Sequence, residues 1–339
     1  MTLIRCCAAI TAVVLLVSMP ALAQAPSSPT RTLNFQHFLY PGEQLDRKIF
    51  QPFAKRLEKA TNGRLTINVA GRGKLDVNPV TQHARVLAGE VDIVFGLPGY
   101  TPKRFMRTLL LSAPGLFRSG PAGTRTIWSH LSAVETDFLD VKLLALWVND
   151  PPILVTRDKP VRRFEDIKGL RILAGDGGLA LILEAWGAIP VLGNIGQVRS
   201  ALASGKVDGA LINGTPVRRA KLHQVARYYT LNMPGPVTAF YIVMNKSTWE
   251  SLSDDERTAI DKMTGAALSV QAALLLRSAS LMGIDILGRT DSVEITLAPS
   301  EISKFQAASR TLIRRLTETA DKAGINSAKF FSNFPPVNK

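Results

Sequence analysis

Two stretches of the chain set the same pieces in the same order. Leu87 to Gly96 reads LAGEVDIVFG, and Leu202 to Gly214 reads LASGKVDGALING. Each is a helix end, a glycine and a Val-Asp pair that opens an apolar run. Gly89 and Gly205 fall where a helix commonly stops in a left-handed residue, a conformation glycine adopts freely. Any helix-glycine-strand joint has this outline, so the sequence around each joint must separate coincidence from two related halves. Upstream of the first lie TLNFQHFL, the helical EQLDRKIFQPFAKRLEKATNG, RLTINVAG and VNPVTQHARVLAGE. Around the second lie LRILAG, LALILEAWGA, IPVL and IGQVRSALASGK. Both series run β-α-β-α-β, the order of a mostly parallel sheet with helices on its faces. The expected fold is therefore α/β and two-lobed, with crossing strands between lobes. Both sheets then present the carboxyl ends of their strands, where open parallel sheets bind ligands, to one cleft.

The ends of the chain fit around this frame. Residues 1–23, MTLIRCCAAITAVVLLVSMPALA, place Arg5 before a short apolar run and an Ala-Leu-Ala site, the pattern of a secretory signal cut after Ala23 or, alternatively, after Ala25. This predicts a secreted protein. Cys6 and Cys7, the only cysteines, leave with the signal, which excludes disulfides and thiolate chemistry from the mature chain. A linker covers 24–31. Lobe I is expected over 32–150 plus about 240–270, and lobe II over 151–239 plus parts of 271–339. A strand at Phe240–Met244 precedes a capping box, Ser253 with Glu256. From there one long helix is expected to run to about Gly283 and brace both lobes. Its segment AALSVQAALLLRSASLM carries Gln271, Arg277 and several serines, which favours a buried or interlobe helix over a membrane span. VEITL and the helix ISKFQAASRTLIRRLTETADKAG complete the chain.

A net charge of +14 admits polyanion binding, but the basic residues are scattered and no nucleic-acid motif accompanies them. The reading is a solvated basic surface with no nucleic-acid partner. Gly175, Gly177 and Ala180 match G-x-G-x-x-A after a strand, yet no acidic residue ends the following strand to hold a ribose, so no dinucleotide cofactor is expected. His37, His83, His130 and His223 have no metal-motif spacing and no G-x-S-x-G elbow is present, which argues against metals, cofactors and an enzyme.

Several stretches, taken in order, then carry a resemblance: EKATNGRLTINVAGRGKL, ARVLAGEVDIVFGLPGYTPKRF, FEDIKGLRI, WGAIPV, ALASGKVDGAL and MNKSTWESLSDDERTAI. They are similar to the DctP-type substrate-binding proteins of tripartite ATP-independent periplasmic (TRAP) transporters. The resemblance implies a periplasmic receptor that closes around a small organic solute, most often an organic acid, and docks on integral membrane permease subunits. Such relatives commonly read GLKIR where this chain reads GLRIL, and the arginine that grips the ligand carboxylate is here Leu173. Some sugar-acid-binding relatives carry another arginine at the position matching Ile153. Three substitutes for the clamp are Arg171, deeper on the same strand face; Arg104, in a first-lobe loop; and the helix N-terminus at Asp176 to Gly178. The Asp176 carboxylate would compete with an anion for those N–H groups.

The strand ends nominate the cleft lining: His37, Tyr40, Phe95, Tyr100 and Trp147 from the first lobe, Leu173, Asp176 and Asn213 from the second, and Phe240 where the crossing strand begins. A one-residue slip would select Ile212 in place of Asn213. Two further readings stand beside the TRAP receptor: a binding-only module serving a sensor or an ATP-driven importer, and a secreted α/β oxidoreductase using the Gly-rich turn.

Overall fold

The computed structural model describes residues 30–40, 42–72, 78–175 and 177–334. The signal segment, its cysteines, most of the linker and Asp176 lie outside them.

The first half folds as β1 (Arg31–Gln36), α1 (Gln51–Ala60), β2 (Leu65–Ala70), α2 (Gln82–Leu87) and β3 (Ile93–Gly96), followed by α3 (Met106–Leu110), α4 (Gly120–Ser129) and β4 (Val141–Val148). The chain then crosses into β5 (Ile153–Thr156), β6 (Arg171–Ala174), α5 (Gly177–Ala185), β7 (Ile189–Leu192), α6 (Val198–Ala203), β8 (Gly209–Ile212), α7 (Thr215–Arg219) and β9 (Tyr228–Leu231). It returns as β10 (Ala239–Asn245), α8 (Lys246–Glu250) and α9 (Asp254–Met263). The last elements are α10 (Gly265–Gly288), β11 (Val293–Thr296), α11 (Pro299–Lys322) and α12 (Ser327–Asn333).

The strands form two sheets, ordered β2-β1-β3-β10-β4 and β11-β9-β5-β8-β6-β7. In the first, β1 pairs in parallel with β2 and β3, and β10 enters antiparallel between β3 and β4. The second repeats this plan: β6 pairs in parallel with β7 and β8, and β5 enters antiparallel between β8 and β9. Each sheet thus holds an antiparallel strand delivered from the other half.

The echo extends to single hydrogen bonds. Gly89 and Gly205 have φ of +73° and +71°, the left-handed stop expected of both. Asp92 Oδ2 accepts from the Asn34 N–H and Asp208 Oδ2 from the Arg171 N–H, each at 2.8 Å. The carbonyls of the same aspartates accept from Asn245 (2.8 Å) and Arg157 (2.9 Å) on the incoming strands. In both halves the Val-Asp aspartate ties the first strand to the crossing one.

The long helix expected from Ser253 forms over Asp254–Gly288, bent between α9 and α10. The Ser253–Glu256 capping box forms, with Ser253 N–H donating to Glu256 Oε2 at 2.9 Å. Thr264 is extended and Gly265 takes φ +69°, which separates α9 from α10 within the helix. α10 is apolar enough by composition to cross a membrane, but Leu268, Ala272 and Ala273 pack in the first-sheet core and Leu287 in the second. α11 also serves both, with Phe305 beside the second sheet and Ala320 beside the first. Where α10 passes the end of β8, a Cβ on Gly283 would lie 2.0 Å from the Gly214 carbonyl oxygen. Ser280 Oγ accepts from the Gly214 N–H at 2.9 Å. This close approach fixes the turn that carries Asn213 and starts α7.

Candidate functional site

A cavity of about 890 Å³ lies between the lobes at the carboxyl ends of the parallel strands. It continues into a smaller space of about 240 Å³ through Asn149, Ile195, Asn213 and Phe240, which border both. A third space of about 410 Å³ extends the cleft toward Tyr100, sharing Leu97, Gly175 and Thr238 with the second. The volume falls in the range of small-molecule sites.

The floor is an aromatic stack. Register places Phe240 opposite Trp147 across the β10–β4 ladder, and their rings lie 5.5 Å apart at 17°. Phe95 stacks on both, 6.0 Å from Phe240 and 5.8 Å from Trp147. Phe38 covers Phe95 at 5.0 Å. Phe95 and Trp147 are fully buried, while the half-buried Phe38 and Phe240 border the cavity. Three aromatics nominated from the sequence thus belong to one unit, but only Phe240 faces the cavity; Phe95 and Trp147 support it from the core.

Other nominated residues are distributed differently. Tyr40 borders the cavity with the Arg72 guanidinium 5.3 Å from its ring centre, and Tyr100 meets Phe38 edge-on at 5.7 Å while lining the third space. His37 is fully buried instead of lining the cleft, with Nε2 3.4 Å from Asp46 Oδ1. Burial pushes its imidazole below its ordinary value of 6.5, and Asp46 opposes this only in part. Arg104 is bound to Asp140 and borders none of the three spaces. Arg171 is held by Asp208 in a two-pronged pair of 2.8 and 3.1 Å at the strand's amino end, which removes it as a clamp. Leu173 and Ile153 are buried in the second-lobe core. Leu173 pairs in register with Val191 and Ala210, clusters with both, and borders none of the three spaces. Asn213 and its alternative, Ile212, both border the cleft. Asp176 lies outside the described residues.

Several lining residues escaped the sequence reading. Arg72 and Asn194 each lie two residues beyond a nominated strand, β2 and β7, while Glu43 lies in the loop after β1 and Arg219 ends α7 after β8. Arg219 Nη1 reaches Glu43 Oε1 at 3.1 Å, joining the two lobes across the cavity. The other lining carboxylate, Asp150, accepts from Arg277 at 3.1 Å and from the Gly120 N–H at 2.8 Å. Asn149, Asn194 and Asn213 each spend the side-chain oxygen on a backbone N–H, from Thr238 (2.7 Å), Gly196 (2.7 Å) and Thr215 (3.0 Å). Their amide nitrogens, all donors, have no hydrogen-bond partner among the described residues, and neither does the Arg72 guanidinium have a carboxylate there. Unspent polar capacity in this cleft is mostly donor capacity.

Comparison with known proteins agrees with this architecture. The family described as bacterial extracellular solute-binding protein, family 7 (DctP), matches residues 35–319. The outer membrane transporter protein TsaT of Comamonas testosteroni is 26% identical over 262 residues, covering 75% of each chain. The C4-dicarboxylate-binding periplasmic protein DctP of Rhodobacter capsulatus is 24% identical over 256 residues, 74% of each. A TRAP solute-binding protein from a marine metagenome, specific for aromatic acid ligands and crystallised with 3-hydroxybenzoate, shares the fold. Its TM-score is 0.80 at 24% identity, over 90% of this chain and 97% of that one. Two sheets that exchange antiparallel strands around a cleft, together with a family match over most of the chain, lead to one assignment. The chain belongs to the family 7 bacterial extracellular solute-binding proteins, the DctP-type receptors that bind small organic solutes for TRAP transport.

Proposed function

We propose that the cleft takes a small organic monoanion with a flat apolar body, of the size and chemistry of an aromatic monocarboxylate. The observation that carries this reading is the excess of unspent donors over an aromatic floor. Arg72 and the amides of Asn149, Asn194 and Asn213 face a space whose two carboxylates already have arginine partners. A carboxylate satisfies such donors, whereas a neutral solute leaves them dehydrated and unpaired. The ring of the solute lies against Phe38 and Phe240. The metagenome receptor of the same fold, crystallised with 3-hydroxybenzoate, supports the choice of class. Because Leu173 and Ile153 cannot pair a carboxylate, simple C4-dicarboxylates and sialic acid are expected to bind poorly.

The receptor acts in the periplasm after loss of residues 1–23 and passes its solute to the integral membrane TRAP permease subunits, without catalysing a reaction. Mass spectrometry of solute retained through purification, followed by a thermal-shift series of aromatic, aliphatic and dicarboxylic acids, tests the solute class. Retention of a neutral molecule, or stabilisation by dicarboxylates alone, contradicts it. Co-purification with the two permease subunits tests the delivery step, and capture by a sensor or an ATP-driven importer instead contradicts that step.

A further inference from the structure

A separate cavity of about 480 Å³ lies among the segments that join the lobes. Its wall comes from both crossovers, at Asp150–Ile153 and Leu231–Gly235, and from α10 and α11. Asp150 and Ser280 border this cavity and the solute cleft alike. The wall is largely apolar, with Ile153, Met233, Ile284 and Ile302 among its members. Its one carboxylate, Asp150, has a side chain only 11% exposed and is matched by Arg277 at 3.1 Å. Arg118, the wall's second arginine, also has a partner, so an occupant meets no free charge and needs none of its own. At the mouth Leu281 remains 49% exposed, and any apolar molecule seated there removes that surface from water.

We propose that this hinge cavity is a second binding site, for a small, neutral, largely apolar molecule of about the size of indole. It is independent of the solute assigned to the cleft. Its volume lies within the range of small-ligand sites, and its wall is built from every segment that connects the lobes.

The test titrates the purified protein with 5-fluoroindole, followed by fluorine NMR. Saturable one-to-one binding is expected. Leu281→Arg, at a half-exposed position, and Ile302→Trp, which fills the cavity from α11, should each weaken it at least about tenfold. The cleft substitution Asn213→Asp should leave it within about twofold. Absence of saturable binding by the parent protein overturns the proposal. So does loss in Asn213→Asp with retention in both hinge variants, which puts the probe in the cleft. Melting temperatures within a few degrees of the parent show that a loss reads the site, and if Leu281→Arg fails to fold, Ile302→Trp decides.

Discussion

Arg219 of α7 and Glu43, in the segment that follows β1, join the two lobes across the cleft at 3.1 Å. Their side chains are 70% and 30% exposed, so solvent screens the pair and its contribution to stability is at most about 1 kcal/mol. Its consequence lies in recognition. In the proposed mode of binding Glu43 holds Arg219, a second cation beside Arg72 that an incoming carboxylate would have to win from it. Glu43→Gln is expected to raise affinity for 3-hydroxybenzoate by roughly 3- to 10-fold, and Arg219→Ala to lower it at least about tenfold. Calorimetry on both variants checks this, and weaker binding by Glu43→Gln would show that the pair closes the cleft around the solute without competing for it.

The aromatic stack separates stability from binding. Trp147 is wholly buried beneath Phe240, so Trp147→Ala should cost about 3–5 kcal/mol in chemical denaturation. Phe38, half-buried at the cavity edge, should cost less stability when changed to Ala, yet weaken aromatic-acid binding at least about tenfold. Equal effects of the two substitutions on denaturation and on affinity would dissolve the division between floor and support.

Arg171 tests the rejected clamp. Its guanidinium and backbone N–H both serve Asp208, and the guanidinium holds that carboxyl below its ordinary value of 3.8. A carboxyl whose folded value is depressed stabilises the fold above its unfolded value, and this contribution is lost as pH falls through the folded value. Because solvent screens the pair, Arg171→Leu should cost little stability at neutral pH, with less difference from the parent in strong acid. Solute affinity should stay within about twofold. A large loss of affinity would return Arg171 to the site.

Two buried histidines set a neutral-to-acid trend. Burial lowers the imidazoles of both His37 and His83 from the ordinary 6.5. The unfolded chain then takes up protons first as pH drops below about 6.5, so stability is full above that value and declines below it. The slope is at most about 1.4 kcal/mol per pH unit for each group until its folded value is reached. Denaturation series from pH 7.5 to 5 should show this decline, and His83→Phe should reduce it. A stability that rises on acidification in this window would contradict the burial account.

The frame was legible because it rests on periodicity and on glycines. Gly89, Gly205 and the two Val-Asp aspartates announce the joints where each sheet receives its third strand, and their φ angles and hydrogen bonds agree. The bend at Thr264–Gly265 was hidden because a glycine within an apolar helical pattern reads as a tolerated residue as readily as a stop. The cleft was legible to the level of strand ends and no further. Phe95, Trp147 and Phe240 stack together beside it, but which ring faces the cavity depends on the register of β10 between β3 and β4, a long-range pairing that local pattern does not encode. Arg72 and Arg219 were missed because, in a chain with 41 basic residues, a cation has no local signature of facing a cleft.

The most direct measurement is a calorimetric comparison of benzoate with benzamide, near-isosteres that differ in charge. The proposed site predicts one-to-one binding of benzoate in the micromolar range, benzamide weaker by at least about 100-fold, and loss of benzoate binding in an Arg72→Ala, Arg219→Ala double variant. Equal affinity for the two compounds, or benzoate binding undiminished in the double variant, would contradict an anion site in this cleft.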